Sequence, residues 1–223
     1  MVHVIRNFER PSKEMVEAFK KYAVATIYEA SGRKGFVASY IKPIAKGMRV
    51  CGPAFTVQCA PGDNIMLHKA LERAQPGDVI VASTGGALEY GYFGDLMATS
   101  AIVRKLNGLC IEGCIRDSAD IIEAGFPIFS TGLSIRGTGK GQIGVINYPT
   151  VFGGQTVFAG DLIIGDDDGL VVVRRADCEE VLKKTEKRVN DEIVKAEALA
   201  TGVSSVEYNK FGPLFEAAGL VEE

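Results

Sequence analysis

Between positions 11 and 31 the apolar residues Met15, Phe19, Tyr22, Ala23 and Ile27 recur at helical spacing, with Pro11 and Ser12 ahead of them and Gly32 behind. Start and stop signals placed in that way predict a single helix over 11–31. The pattern then changes period. Residues 47–59 (GMRVCGPAFTVQC) and 78–83 (DVIVAS) are β-rich and flank a helical-looking stretch at 64–75, which predicts a strand, helix, strand unit. A helix over 95–106, closed by Asn107-Gly108, leads into a strand over 109–115. A short helix over 118–124, ended by Gly125, leads into a strand over 127–130. Alternation of this kind predicts an α/β fold with helices on the faces of a sheet.

Past about residue 140 the helical period disappears, and short β runs at 145–146, 156–157, 162–164 and 170–173 are punctuated by glycine. The run DDDG at 166–169 reads as a turn between the last two. Two phrases echo each other, PGDVIV at 76–81 and AGDLII at 159–164, each a Gly-Asp turn feeding an apolar strand. They read as repeated turn chemistry and not as a domain repeat. A charged helix over 176–201 carries only a thin apolar stripe (Val181, Leu182, Val189, Ile193), as a surface helix or one reaching a neighbouring subunit does. No Pro/Ser-rich linker interrupts the chain, so residues 1–223 read as one domain in which 176–223 is a helical C-terminal extension.

Composition narrows the function. The chain has 223 residues, 47% of them apolar, and a net charge of −3 with no basic stripe, which argues against nucleic-acid binding. No apolar run approaches the ~18 residues of a membrane span, and the N-terminal stretch does not resemble a secretory leader, so a cytoplasmic protein is expected. Five cysteines, an odd number in mostly apolar context, suit reduced buried thiols and not a disulfide framework.

Several motifs fail on context. Gly139, Gly141 and Gly144 satisfy G-x-G-x-x-G, but VINYPTVFGG follows with no helical pattern, so they read as a glycine-rich loop. There is no Walker A sequence. Cys110 and Cys114 lack a second Cys/His pair for zinc, and only His3 and His68 occur. His68 could serve as a base, although a lone helix histidine is more often surface or packing. Schiff-base chemistry needs a buried lysine, and the lysines stand in polar contexts, with Lys140 in the glycine-rich loop the ambiguous one.

What remains is GDLMATSAIVRKLNGLCIEGCIRD, residues 94–117, a helix and strand bracketed by charge. Asp95 stands at the expected N-cap after Gly94, leaving the amides of Leu96, Met97 and Ala98 at a positive helix end able to hold a carboxylate. Arg116 and Asp117 follow the strand, where α/β folds place ligands, and Gly113 would allow close approach to the backbone. If the helix runs antiparallel to the strand, both acids face one cleft. An arginine fork, free amides and one or two carboxylates could grip a small carboxylate and a hard cation such as Mg²⁺, a Lewis acid suited to an enolate. An alternative stays open: Asp117 with Asp120 resembles a cap for the next helix, and Arg116 could pair with a surface acid.

The segments GDLMATSA and GLCIEGCIRDSAD, with FPIFSTG and VFAGDLIIGDDDGLVVV after them, resemble the family of 4-hydroxy-4-methyl-2-oxoglutarate / 4-carboxy-4-hydroxy-2-oxoadipate aldolases and RraA-type regulators of ribonuclease E. The resemblance implies an α/β/β/α sandwich of the swivelling-domain type, assembled as homotrimers or homohexamers with sites between subunits. It implies that Asp117 binds a divalent metal (Mg²⁺, Mn²⁺ or another), that Arg116 contacts a pyruvate moiety, and that Asp95 orients a metal-side water. Gly94 and the amides of Leu96 and Met97 would cradle the pyruvate carboxylate. A glutamate from a neighbour's C-terminal helix would reach metal-bound water: Glu192, with Glu186 and Glu197 as rivals. The implied reaction is cleavage of a 4-hydroxy-2-oxo acid to pyruvate and a second oxo acid, with oxaloacetate decarboxylation as a side activity. The alternatives are a non-catalytic regulator of ribonuclease E, whose family branch lacks the Asp after the Arg, and a related lyase for another 2-oxo acid.

Overall fold

The computed structural model describes residues 2–223. Its helices are α1 (Lys13–Phe19), α2 (Val24–Ala30), α3 (Ile65–Arg73), α4 (Asp95–Val103), α5 (Ser118–Glu123), α6 (Cys178–Ala200), α7 (Ser205–Asn209) and α8 (Gly212–Ala217). Its strands are β1 (Lys42–Pro43), β2 (Val50–Gln58), β3 (Val79–Ser83), β4 (Gly108–Glu112), β5 (Cys114–Ile115), β6 (Ile128–Ser130), β7 (Gly132–Leu133), β8 (Val145–Ile146), β9 (Thr150–Phe152), β10 (Gln155–Val157), β11 (Leu162–Asp166) and β12 (Gly169–Val173). The main sheet runs β1-β6-β4-β3-β2-β11-β12, with β8 also on β2. Strands β2, β3, β4 and β6 are parallel, whereas β11 joins β2, and β12 joins β11, antiparallel. Strand β12 returns beside β1, so the sheet nearly closes.

Side-chain alternation along the strands sorts the apolar residues into three cores. Phe55, Ile80, Leu109 and Ile128 face α3, α4 and α5. Their alternates Ala54, Val81, Cys110 and Phe129 face inward, against Ile163, Leu170 and Val172 of the β11–β12 hairpin and against Phe152 and Val157. The hairpin's other face, Leu162, Ile164, Val171 and Val173, packs on α1, α2 and α6 through Phe19, Ile27 and Val181. Because a strand's side chains alternate between faces, β11 and β12 bury both faces and are apolar along Leu162–Ile164 and Leu170–Val173. The result is helix, sheet, sheet, helix, as the resemblance implies.

Two expected elements are divided. The single helix over 11–31 is α1 and α2, with a break at 20–23. The break has a tertiary cause: Ala23, the N-cap of α2, makes no side-chain cap, and the Val24 amide donates instead to Asp166 Oδ2 at 2.9 Å, while Arg49 donates to the Tyr22 carbonyl at 2.7 Å. The strand over 109–115 breaks at Gly113 into β4 and β5. A Cβ there would lie 2.7 Å from Thr84 Cγ2 and 3.2 Å from the Tyr92 ring, so what approaches Gly113 is the protein itself. The DDDG turn joins β11 to β12, and its carboxylates serve the fold: Asp166 also accepts from the Asp168 amide, and Asp167 from the Gly47 amide.

Candidate active site

Arg116 and Asp117 directly follow β5, which pairs with β7 outside the main sheet, and the Arg116 amide donates to the Phe93 carbonyl at 3.0 Å. That bond ties the end of β5 to the residue just before Gly94, so both ends of the 94–117 segment meet. Glycine makes the approach possible. A Cβ on Gly94 would lie 2.4 Å from Asp117 Oδ2 and 3.2 Å from Arg116 Nε, and one on Gly91 would lie 2.5 Å from the Ser134 carbonyl oxygen and 3.0 Å from Arg116 Cβ.

The N-cap of α4 is Gly94, with extended backbone, and Asp95 is the first helical residue. Of the amides expected to be unpaired, those of Met97 and Ala98 both donate to the Gly94 carbonyl, at 3.1 and 3.0 Å. The cause is a tight first turn, which leaves the Leu96 amide as the free donor among the three. Met97 itself is buried, its sulfur 3.7 Å from Asn64 Nδ2. The Asp95 carboxylate caps nothing and pairs with no cation among the described residues.

Asp117 precedes α5 but does not cap it with its side chain. Its backbone is left-handed (φ 58°, ψ 37°), a conformation aspartate tolerates at some cost and one that collects at functional sites. The side chain turns back to the start of α4: Oδ2 lies 3.4 Å from the Asp95 amide and 3.3 Å from Arg116 Nε. The capping alternative therefore fails for the Asp117 carboxylate, and Arg116 pairs with its own neighbour, not with a distant surface acid. Asp120 sits in the first turn of α5. Arg116 and Asp117 stay about half and one-third exposed, open to a small molecule.

A cavity of about 260 Å³ opens in front of Arg116, lined by Asp95, Leu96, Met97, His68 and Lys140, and a second concavity of about 370 Å³ lies beyond it, against Asp117, Ser118 and Ile135. Tyr92 forms part of the first cavity's wall. It is fully buried, its hydroxyl donating to the Ala87 carbonyl and accepting from the Gly62 amide. Sequence reasoning set His68 and Lys140 aside, yet both reach this cavity. Burial, and then the nearby Lys140 charge, push the His68 pKa below its usual value. The glycine-rich loop that carries Lys140 leads into β8 and no helix follows it, as expected for a non-nucleotide loop. Two cations, Arg116 and Lys140, line this cavity together with Asp95, and the Asp117 carboxylate lies against Arg116 Nε, a mixed lining that offers fixed positive groups to a small anion.

Glu192 lies elsewhere in the chain. On α6, it is 2.9 Å from Arg188 Nε and accepts from Thr26 Oγ1 of α2 at 3.4 Å. Glu186 faces Tyr22, whose pKa is raised by burial first and by that glutamate second. Within one chain neither is brought to Arg116. The cysteines are all free, and burial pushes the Cys51, Cys59 and Cys178 thiols up to about 12, the behaviour of inert packed thiols. Among the described residues no group of three or more His, Cys, Asp or Glu could hold a metal, and no helix is long and apolar enough to cross a membrane.

Comparison with known proteins gives a concordant picture. The family model RraA-like, described as Aldolase/RraA, matches residues 24–172. A protein of Halalkalibacterium halodurans named "Putative 4-hydroxy-4-methyl-2-oxoglutarate aldolase" is 35% identical over 193 residues, covering 86% of this chain and 92% of that protein. Among solved structures, an uncharacterized protein from Pseudomonas syringae pv. tomato superposes with a TM-score of 0.77 at 27% identity, covering 88% of this chain and 97% of that one. Streptomyces coelicolor RraAS2, described as an unusual member of the RNase ES inhibitor RraA protein family, superposes with a TM-score of 0.76 at 28% identity, over 85% and 99%.

Proposed function

The chain belongs to the RraA-like (Aldolase/RraA) family, and from that premise we propose that it is a divalent-metal-dependent aldolase cleaving a 4-hydroxy-2-oxo acid to pyruvate and a second oxo acid, with oxaloacetate decarboxylation as a side activity. The observation that carries this reading is the Arg116-Asp117 pair, folded back onto the N-terminus of α4 with its carboxylate turned away from the helix it precedes.

The donor set fits a hard cation held mainly by water and substrate oxygens. Mg²⁺ keeps several waters and commonly takes only one or two carboxylates, so the lack of a three-ligand cluster is no obstacle. Asp117 would hold the ion, with Asp95 at hand for its water, and the missing Cβ of Gly94 leaves the space beside Asp117 Oδ2 that a side chain would fill. When bound, such an ion acts as a Lewis acid on the 2-oxo group.

The protein's own groups supply the rest. Arg116 engages Asp117 through Nε, leaving both terminal nitrogens to fork onto the 2-oxo acid. The free Leu96 amide and the α4 dipole add attraction for the carboxylate. Asp95, half-buried and without an ion-pair partner, takes the 4-hydroxyl proton through a water. The O–H electrons form the carbonyl of the departing oxo acid as the C3–C4 bond breaks. The released pair becomes the enolate of pyruvate, which Arg116 stabilises until C3 is protonated.

An assembly completes the site in this reading. Leu96 and Ile135, beside the site, are 79% and 98% exposed, as are much of Val194 on α6 and Leu214 on α8. Burial of those surfaces in a homotrimer or homohexamer would bring a neighbour's Glu192 within reach of water at Asp117. The test is pyruvate release from a panel of 4-hydroxy-2-oxo acids and oxaloacetate, with Mg²⁺ and with excess EDTA. Turnover of at least one substrate that EDTA abolishes is the expected result. Full pyruvate release by Asp117→Ala in EDTA would overturn the proposal. No turnover of any oxo acid, with ribonuclease E captured equally by wild type and Asp117→Ala, would point to the regulatory alternative.

A further inference from the structure

Asp63 lies just ahead of α3, outside every role assigned so far, and is 3% exposed. Its carboxylate accepts three backbone amides: Ile65 in the first turn of α3 at 2.9 Å, Gly141 at 2.6 Å and Gln142 at 3.0 Å. Two backbone bonds reinforce the junction, from the Gly139 amide to the Gly62 carbonyl at 2.8 Å and from the Asn64 amide to the Gly139 carbonyl at 3.2 Å. The loop lies close against this stretch. A Cβ on Gly139 would be 3.2 Å from Asp63 Oδ2, and one on Gly144 would be 1.8 Å from the Gln58 carbonyl oxygen.

Lys140 sits between Gly139 and Gly141, both fastened to Asp63 or its neighbour, and faces the cavity it shares with Arg116. His68 stands one turn along α3, the helix whose start the same carboxylate holds. With glycines at 137, 139, 141 and 144 the loop would otherwise have little reason to keep one shape. We infer that Asp63 is a positioning residue that fixes Lys140 on the wall of the cavity lined by Arg116, where its ammonium holds the far carboxylate of the oxo acid. The geometry of the lock stands by itself; the substrate class rests on the aldolase reading above. Arg116 and the Leu96 amide take the 2-oxo carboxylate, and Lys140 takes the second carboxylate of the chain. Burial by itself would raise the Asp63 pKa, but hydrogen bonds from Ile65, Gly141 and Gln142 with the Lys140 charge together outweigh it, and the net direction is down. An ionised carboxylate is acceptor-only, which is what three converging N–H groups require.

Calorimetry with Mg²⁺ present, using 2-oxoglutarate as an uncleaved dicarboxylate and pyruvate as the monocarboxylate, tests the inference on wild type, Asp63→Asn, Lys140→Ala and the double variant. Asp63→Asn and Lys140→Ala are each expected to weaken 2-oxoglutarate about tenfold, as loss of a charge-assisted contact does. The double variant should be no weaker than Lys140→Ala, since the two act through one contact, and pyruvate affinity should hold. Additive losses, equal losses for pyruvate, or an unchanged Asp63→Asn would each overturn the inference. Amide exchange on wild type needs no variant to fold: the exposed Gly141 and Gln142 should be protected, and exchange at the open-chain rate would refute the lock. Gly139→Ala, which crowds Asp63 Oδ2, should weaken 2-oxoglutarate a few-fold, and Gly141→Ala, whose Cβ meets nothing within 4 Å, should not. If wild type binds neither oxo acid, the aldolase reading fails while amide exchange in Asp63→Asn still decides the lock.

Discussion

Of the five Gly-Asp dipeptides in the chain, three invite comparison, those at the start of β3, of β11 and of α4, with opposite outcomes. At β3, Asp78 is 1% exposed, forked by Arg10 at 2.7 and 2.8 Å, and accepts the Gln75 amide at 2.9 Å. At β11, Asp161 repeats the arrangement: Arg174 at 2.7 Å and the Phe158 amide, again three residues back, at 3.0 Å. Each arginine also lies over an aromatic ring, Phe8 and Phe158. These carboxylates are saturated, and they hold strands. Asp95, in the third dipeptide, has no side-chain partner, and its neighbour Asp117 has only the loose company of Arg116 and the Asp95 amide. A carboxylate whose acceptor capacity is filled by its own fold cannot serve a substrate, so unsatisfied capacity and not the motif sets the candidate site apart.

The sharpest way to break that contrast is to remove one carboxylate of each kind. Asp117→Ala should lower pyruvate release by on the order of 10²-fold or more, as loss of an electrostatic stabiliser does, and lower Tm by no more than a few degrees, since the carboxylate makes no cap bond and the one structural cost is alanine's poorer fit to a left-handed backbone. Asp78→Ala should do the reverse. Breaking a buried pair costs about 3 kcal/mol, a drop of several degrees in Tm for a chain of this size, with activity per folded molecule retained. The contrast collapses if Asp117→Ala unfolds early, or if Asp78→Ala stays stable and loses turnover.

A smaller effect sharpens the same contrast at Gly94. Alanine there is conformationally acceptable, since the backbone is extended (φ −130°, ψ −177°), but its Cβ would intrude to 2.4 Å of Asp117 Oδ2. Gly94→Ala should therefore displace the carboxylate and cost about tenfold in kcat/KM with a Tm change of no more than a few degrees, a misplacement effect. Kinetics equal to wild type would show that the close approach of Gly94 to Asp117 is incidental.

The sequence carried most of this layout because it is written in local signals. Short β-rich runs located the strands, whereas the double sheet was expected only from the family resemblance. Glycine and charge at 94–95 and 116–117 singled out the residues that the structure brings together as a candidate site. What it withheld depended on tertiary partners. The break between α1 and α2 comes from Asp166, some 140 positions away, and the division of 109–115 from a tyrosine and a threonine packed on Gly113. The amide count at α4 was wrong because a tight first turn is invisible to residue type. His68 and Lys140 were passed over because nothing nearby in the chain brings them together; Asp63 does so by reaching across to 141–142. The repeated PGD and AGD phrases were correctly read as shared turn chemistry, down to the carboxylate that accepts the amide three residues back.

The least of the expected effects concerns the cost of leaving charges unsatisfied. On the saturated side each arginine meets an acid, whereas His68 and Lys140 line one cavity and neither makes an ion pair among the described residues. Burial and the Lys140 charge accordingly hold the His68 pKa below its usual 6.5. A folded-state pKa below the unfolded one means that the unfolded chain takes up the proton first, so stability is unaffected well above pH 6.5 and declines as pH falls through that value. Lys140→Ala should remove part of this decline and His68→Gln all of the residue's share, flattening the slope of Tm against pH between about 6.5 and 5 by a small amount, because His68 is largely exposed and solvent screens the repulsion. Bound dicarboxylate should do the same in wild type by supplying the missing negative charge. A Tm–pH slope identical in wild type and His68→Gln would mean that the open side bears no such penalty, and that the contrast between filled and unfilled charge is one of geometry alone.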